Sequence, residues 1–247
     1  MTNVYIYDHA LSGSRYQKTL ERLETRLTDL GLSGKIYRLG PMTRVNEIIR
    51  DEIRKAAKTI TVVGGDALIT KVASLMAGCE IPLAIIPLEK ESACALALGI
   101  NLESACRILA ARRIVRIDLG RTDSGATFLS EITFSARNPM IRIDGGITAS
   151  TEGAAEIQVV NVLPDEFGYR GSRPSPEDGR LNAYILKTES GFLKKGISQS
   201  SIVCREIEIL SGPLAGVIDG QLSVDKVTKI SLIPRALSVI VGKERNF

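Results

Sequence analysis

The chain of 247 residues lacks tryptophan, and aromatic residues make up only 4% of it. Proteins that bind single-stranded nucleic acids usually stack the bases on aromatic side chains, so we expect no nucleic-acid partner. The 32 basic residues are scattered along the chain and slightly outnumber the 28 acidic ones. Such a balance is typical of a solvated surface, and it also leaves a lipid or an anionic membrane surface open as a partner.

The usual ligands of structural zinc are scarce as well. His9 is the single histidine, and Cys79, Cys94, Cys106 and Cys204 include no Cys-x-x-Cys pair. We therefore expect no zinc site and four reduced, buried thiols.

The sequence also lacks a long hydrophobic run. No stretch reaches the roughly 18 consecutive apolar residues of a membrane-spanning helix, and the N-terminal segment Asn3–Tyr7 is predicted to be a strand rather than part of a secretory leader. We interpret the chain as a cytoplasmic protein, with peripheral attachment to a membrane left open. Its 44% of hydrophobic residues are sufficient for a buried, mainly aliphatic core.

Predicted strands and helices alternate through residues 1–112, the first expected domain. The first helix carries apolar residues at core spacing: Tyr16, Leu20, Leu23, Leu27 and Leu30. The strand Thr59–Val63 is followed by a helix from about Asp66 to Met76, and Leu83–Ile86 is again a strand. Such βαβ connections indicate a mainly parallel sheet that is covered on both faces.

Apolar residues alternate with period two in the second expected domain, residues 113–247. The alternating segments are Arg112–Leu119, which crosses the boundary, Ile141–Asp144, Glu156–Val159 and Arg205–Ile209. This pattern predicts antiparallel strands and a β-sandwich. The predicted fold class is an α/β domain followed by a β-sandwich, with a ligand-binding cleft between them. A return of the last segment to the first domain is left open.

The most informative local feature is the turn Gly64-Gly65-Asp66 between a predicted strand and a predicted helix. Glycines at such a turn let backbone amides approach a phosphate at the positive end of the helix. The carboxylate of Asp66 is then placed to hold a metal or orient a hydroxyl. The turn alone is equally compatible with a purely structural role, in which Asp66 caps the helix.

This turn belongs to an ordered series of motifs. In chain order they are Ile6-Tyr7-Asp8 with Ser12-Gly13, Val62–Asp66, Pro82–Leu88, Leu96–Ile100, Arg173–Leu181 and Ile218–Gln221. The series resembles the catalytic domain of the diacylglycerol kinase family, which includes bacterial lipid kinases and sphingosine kinases and is related to NAD kinases. The fold of that family, an α/β nucleotide domain followed by a β-sandwich, agrees with the periodicities.

The resemblance implies binding of ATP and Mg²⁺ and transfer of the γ-phosphoryl group to a lipid hydroxyl, a reaction that depends on positioning and charge neutralisation. It assigns nucleotide binding to Gly64, Gly65, Asp8, Ser12, Gly13 and Lys90. It assigns the metal-associated loop to Asp178, for which a plain turn is the alternative. The residues it offers for catalysis are Asp66, Asp219 and Gln221.

Three motifs depart from the family pattern. The glycine turn continues as Ala67-Leu68 where the family has Gly-Thr. The second glycine loop of the family, Gly-Thr-Gly-Asn-Asp-Phe-Ala, is replaced by Glu89–Ala95, whose two carboxylates are offset only by Lys90. Gln221 replaces the glutamate of an Asp-Gly-Glu motif, and an amide cannot usefully accept the proton of a hydroxyl.

These departures lead to three hypotheses, and the sequence leaves open whether the chain is an enzyme. The first is a lipid kinase-like protein with weak or no phosphoryl transfer and a binding or assembly role. The second is an active ATP-dependent lipid kinase, with Asp66 as base or metal ligand and the amides of Gly64 and Gly65 on phosphate. The third is a structural or partner-binding protein, and a homodimer is compatible with all three.

Overall fold

The computed structural model describes residues 2–88, 92–162, 174–190, 195–245 and 247, with the backbone alone for 188–190 and 195–197. The chain divides into two compact units. The first contains residues 1–117 and 236–246, and the second contains residues 118–235 and 247.

Within the described residues there are five α-helices: α1 (Gln17–Asp29), α2 (Val45–Arg54), α3 (Asp66–Met76), α4 (Ala93–Ala97) and α5 (Leu102–Ala111). The strands of the first half are β1 (Asn3–Tyr7), β2 (Gly34–Arg38), β3 (Thr59–Gly64), β4 (Leu83–Pro87), β5 (Ile114–Thr122), β6 (Thr127–Phe128), β7 (Glu131–Arg137) and β8 (Met140–Ile143). Those that follow are β9 (Ile147–Ser150), β10 (Ala154–Val160), β11 (Leu181–Ser190), β12 (Lys195–Cys204), β13 (Glu206–Ile209), β14 (Leu214–Ile218), β15 (Leu222–Val227) and β16 (Lys229–Ile240).

The sheet of the first unit is parallel, in the order β2-β1-β3-β4-β16. Every residue of β1, β3 and β4 is buried. Strands of this kind are covered on both faces, so their sequences are nearly continuous apolar runs. The backbone N–H of Asp8 donates to the carbonyl oxygen of Val63 at 2.9 Å, which ties the chain after β1 to the end of β3.

The second unit is an antiparallel sandwich. One sheet has the order β12-β11-β10-β7-β14-β15, and the other contains β9, β8, β13 and the first part of β16, with the end of β5 and β6 beside it. Ile132 and Phe134 of the first sheet share one buried cluster with Ile143 and Ile207 of the second. The predicted fold class, a mainly parallel α/β half followed by an antiparallel β-sandwich, is confirmed, and the cleft stays a prediction.

Two expectations about burial are wrong. Leu30, assigned to the core stripe of the first helix, is 40% exposed and is the C-cap residue of α1, which ends at Asp29. Cys79 is half-buried, whereas the other three thiols are buried. Among the described helices, none is both long enough and apolar enough to cross a membrane.

Candidate functional site

The glycine turn lies where the sequence places it, between β3 and α3. Gly65 has an extended backbone, with φ −96° and ψ 175°, and no side chain caps the helix that follows. Gly65 has no side chain with which to cap the helix, and the positive end of a helix favours an anion. A Cβ on Gly64 would lie 2.6 Å from the Cβ of Asp8, so the close approach of these two loops requires glycine.

Asp66 uses both carboxylate oxygens inside the protein. Oδ1 accepts a hydrogen bond from the hydroxyl of Ser92, and Oδ2 accepts one from the backbone N–H of Ala93 at 2.9 Å. Ser92 in turn accepts the N–H of Ala95 at 3.1 Å and caps α4. Asp66 is only 6% exposed. Its observed contacts therefore join the glycine turn to the loop before α4.

A cavity of about 440 Å³ lies beside the carboxyl end of β1. It brings together Asp8, Ser12 and Gly13, three of the residues predicted to bind nucleotide. Asp8 accepts the N–H of Ala10 at 3.1 Å, and the Ser12 hydroxyl donates to the carbonyl oxygen of His9 at 2.9 Å. The volume suits a small molecule, since ligand cavities commonly measure about 300–1,000 Å³.

The charge of this cavity is acidic. Among its described lining residues, Arg38 is the one basic group, against Asp8, Glu21 and Glu24. Arg38 is paired with Glu24 at 2.7 Å and lies 5.3 Å from the ring centre of Tyr7. Burial raises the pKa of the Tyr7 phenol, and the neighbouring Glu24 carboxylate raises it further. The lining therefore offers little positive charge to a triphosphate.

In the second unit, Asp219 and Gln221 occupy the turn between β14 and β15. The Asp219 carboxylate accepts the backbone N–H groups of Leu129, Ser130 and Glu131 at 3.1, 2.8 and 3.0 Å. Gln221 is exposed, and its backbone N–H donates to the Ile218 carbonyl oxygen at 3.0 Å. Asp219 thus closes the turn onto the start of β7.

Glu131 was missed by the sequence reasoning. Burial, together with the nearby carboxylates of Asp219 and Glu156, raises the pKa of Glu131 to about 7. Its Oε2 atom is buried and makes no hydrogen bond within the part of the chain that the structure describes. The period-two pattern of β7 did not indicate the burial of this carboxyl group. Glu131 precedes the core residue Ile132, and in such a pattern that position ordinarily faces solvent.

The loop of Asp178 is a tight turn held by a second carboxylate. Asp178 Oδ1 accepts the N–H of Arg180 at 2.9 Å. The buried Asp118 accepts the N–H groups of Gly179 at 2.8 Å and Arg235 at 2.7 Å. Burial raises the pKa of Asp178, and the nearby Asp118 carboxylate contributes to the rise.

Asp178 fits a Mg²⁺ ion only as a single carboxylate ligand. Within the part of the chain that the structure describes, no three acidic, histidine or cysteine side chains come together to hold a metal. Mg²⁺ commonly keeps several waters and binds one or two protein carboxylates, so the Oδ2 atom of Asp178 is a compatible ligand. Asp66 is less suitable, because both its oxygens already accept hydrogen bonds.

The predicted residues fall into separate groups. Asp8 contacts the glycine turn in the first unit, whereas Asp178, Asp219 and Gln221 belong to the second unit. Lys90, the remaining nucleotide-binding prediction, lies outside the described residues, as do its neighbours 89 and 91 and the first residue of the Arg173–Leu181 motif. Ser92 and Asp118 were not predicted; a serine three residues before a helical N–H is a capping signal that would have indicated Ser92.

The chain thus combines a parallel α/β unit, which carries a strand–glycine turn–helix element, with an antiparallel β-sandwich unit. These are the two parts of the fold that the sequence resemblance implies. Residues 4–122 match the family described as "Diacylglycerol kinase catalytic domain". The match covers the α/β unit and the strand that leaves it, and this part of the chain is similar to the catalytic domain of diacylglycerol kinases.

Solved structures of similar fold come from Bacillus anthracis str. Sterne and are described as diacylglycerol kinases. Three of them share 15%, 16% and 17% sequence identity with this chain and cover 98% of it. The match spans 97%, 96% and 97% of those chains, with TM-scores of 0.78, 0.79 and 0.78. At this identity the likeness concerns the fold. No curated protein sequence matches the chain significantly.

Proposed function

We propose that this diacylglycerol kinase-like protein has weak or no phosphoryl-transfer activity and acts by binding a lipid or a partner. The main observation behind the proposal is that both candidate catalytic carboxylates accept hydrogen bonds from other groups of the protein. Asp66 holds Ser92 and Ala93, and Asp219 holds three backbone N–H groups. These hydrogen bonds fix the orientation of both carboxylates by contacts within the protein, whereas a general base must direct a lone pair at the substrate hydroxyl.

The charge near the glycine turn supports the same proposal. Asp8 lies against Gly64, and the adjoining cavity carries two further glutamates with one arginine. Like charges about 4 Å apart repel by about 1 kcal/mol in water and by about 4 kcal/mol near a protein surface. Bound Mg²⁺ would offset part of this repulsion. Gln221 carries no charge and cannot act as the missing base.

Two measurements on one preparation test the proposal. Calorimetric titration with Mg·ATP is expected to show no binding in the micromolar range, and radiolabelled ATP is expected to yield no labelled lipid from a total lipid extract. Micromolar binding together with a protein-dependent phospholipid product would overturn it. Binding without product would keep the proposal and assign the nucleotide a non-catalytic role.

Glu131 favours the second candidate function, an active ATP-dependent lipid kinase. A carboxyl group with a pKa of about 7 and an unpartnered oxygen has the properties of a general base at neutral pH. If this alternative holds, transfer will vanish in Glu131→Gln. It will also vanish in Asp66→Asn if Asp66 is the base or metal ligand, so the two variants separate the assignments.

A further inference from the structure

The acidic cavity beside the carboxyl end of β1, which we call the β1 cavity, belongs to the first unit, and its described lining residues all fall within 7–39. Three carboxylates, Asp8, Glu21 and Glu24, face one guanidinium group, that of Arg38. The described lining therefore has an excess of two negative charges at neutral pH. The first turn of α1 also borders the cavity, but a helix N-terminus contributes only about half a positive charge. The charge of the lining favours a cationic ligand.

Two of these carboxylates retain a free oxygen. Asp8 Oδ1 accepts the N–H of Ala10 at 3.1 Å, and Glu21 Oε1 accepts an N–H of the Gln17 side chain at 3.1 Å. The other oxygen of each carboxylate, Oδ2 of Asp8 and Oε2 of Glu21, accepts no hydrogen bond from the described residues. Both oxygens are therefore available to the N–H groups of a ligand.

The Tyr7 phenol is an independent sign of a ligand. Tyr7 lines the cavity and is only 1% exposed. Burial and the nearby Glu24 carboxylate raise the pKa of the phenol, so it stays protonated at neutral pH. Its hydroxyl nevertheless makes no hydrogen bond of normal geometry with the part of the chain that the structure describes. Buried hydroxyl groups in proteins nearly always have a partner, and a bound ligand would supply one here.

The rest of the wall suits methylene groups. Leu11, Leu20 and Leu39 line the cavity together with the polar residues. An ammonium group has three N–H donors and no acceptor, so it can donate to carboxylate and phenol oxygens at once. An aliphatic chain between two ammonium groups would pack against the leucines, and its two charges would balance the excess of two carboxylates. The volume of about 440 Å³ is sufficient for such a molecule.

We propose that the β1 cavity binds an aliphatic diamine or polyamine, whose ammonium groups donate to the Tyr7 hydroxyl and to the free carboxylate oxygens of Asp8 and Glu21. This inference goes beyond the proposed function, because the ligand is a cation and is neither a nucleotide nor a lipid.

Calorimetric titration of the full chain in low salt, without nucleotide or lipid, tests the charge requirement. 1,4-Diaminobutane should bind at least about fivefold more tightly than 1-aminobutane, since opposite charges about 4 Å apart attract by about 1 kcal/mol even in water. The uncharged 1,4-butanediol should give no binding heat. Diamine binding should weaken when the ionic strength rises from about 0.01 to 0.15 M, because the screening length falls from about 30 to about 8 Å. Absence of diamine binding, or equal affinity for the three compounds, would overturn the proposal.

Glu21→Gln is the variant that addresses the carboxylates. Glu21 is exposed on α1, and glutamine keeps an oxygen for the bond from Gln17, so the fold should tolerate the change. Diamine binding should weaken at least about fivefold through loss of one ion pair. Asp29→Asn is the matched control, because Asp29 is exposed on the same helix, is not among the described lining residues and changes the net charge equally. Equal affinities of the two variants would show a response to overall charge alone and would overturn the proposal.

Tyr7→Phe removes the hydroxyl without changing the charge. Diamine binding should weaken at least about tenfold, because hydrogen bonds to charged groups are among the stronger ones. The stability of the free protein in urea should not fall, since the hydroxyl has no partner among the described residues. Unchanged diamine affinity, or a loss of stability that reveals an internal partner of the hydroxyl, would overturn the assignment.

The diamine titration and the phosphoryl-transfer assay fail separately. Absence of diamine binding would overturn this inference and leave the weak-activity proposal intact. Labelled lipid would overturn the weak-activity proposal, while diamine binding that Glu21→Gln and Tyr7→Phe weaken would still support the amine site. Titration with MgCl₂ identifies the competing kind of cation site: Mg²⁺ binding that Glu21→Gln weakens, with no diamine binding, would overturn the inference.

Discussion

Glu131 should make the stability of the protein depend on pH in an unusual direction. Its carboxyl group has a pKa of about 7 in the folded protein against 4.5 in a model compound. Because the neutral form is favoured in the fold, ionisation destabilises it. The penalty is absent below pH 4.5, grows as the pH rises, and is complete above pH 7.

The variant Glu131→Gln removes this penalty with little change in shape. The rise from 4.5 to about 7 corresponds to at most about 3 kcal/mol. The quantity to compare is the unfolding free energy of the variant minus that of the wild type. This difference should be up to about 3 kcal/mol larger above pH 7 than below pH 4.5. Urea denaturation of both proteins across this interval measures the gain.

Glu152→Gln is the matched control, because Glu152 is an exposed loop residue. Its difference from the wild type should stay constant over the same interval. A pH-independent difference for Glu131→Gln would refute the reasoning and would show that Glu131 is ionised in the fold without penalty. Such a result would also remove the observation that favours Glu131 as a general base.

Two further substitutions test the turns. Asp219→Asn replaces a carboxylate that accepts three backbone N–H groups, and it should lower the unfolding free energy by about 2–4 kcal/mol in urea denaturation, since bonds to charged groups are the stronger ones. Asp225→Asn, at an exposed position of β15, should change it by less than about 0.5 kcal/mol. Gly64→Ala should cost about 1–3 kcal/mol, because the added Cβ lies 2.6 Å from that of Asp8. Asp8→Gly should restore most of this loss in the double variant, and no restoration would contradict the contact.

The fold was largely predictable because its two halves have different hydrophobic periods. Runs such as Thr59–Gly64 are buried along their whole length in a parallel sheet, while Glu206–Ile209 alternates because one face of a sandwich strand is partly exposed. The glycine turn was predictable for a local reason, since a strand, two glycines and a helix are consecutive in the chain. Leu30 was misplaced because helical spacing alone does not show where the buried part of the stripe ends.

The contacts within the candidate site were not predictable, because they join residues far apart in sequence. Asp66 and Ser92 are 26 positions apart, and Asp219 and Ser130 are 89 apart. From the sequence alone, a carboxylate in a catalytic motif is predicted to be reactive, because the hydrogen-bond donors that contact it are not yet known. Glu131 shows the converse case, because its burial and its carboxylate neighbours arise only when β7, β10 and the turn after β14 come together.

Single-turnover phosphoryl transfer tests the proposed function most directly. With the protein in excess over radiolabelled ATP, in the presence of Mg²⁺ and diacylglycerol, even a very slow reaction would accumulate labelled lipid. Our account predicts either no labelled product above the protein-free blank or a slow formation of product that Asp66→Asn and Glu131→Gln leave unchanged. Labelled product that forms with the wild type and disappears in Asp66→Asn or Glu131→Gln would contradict it.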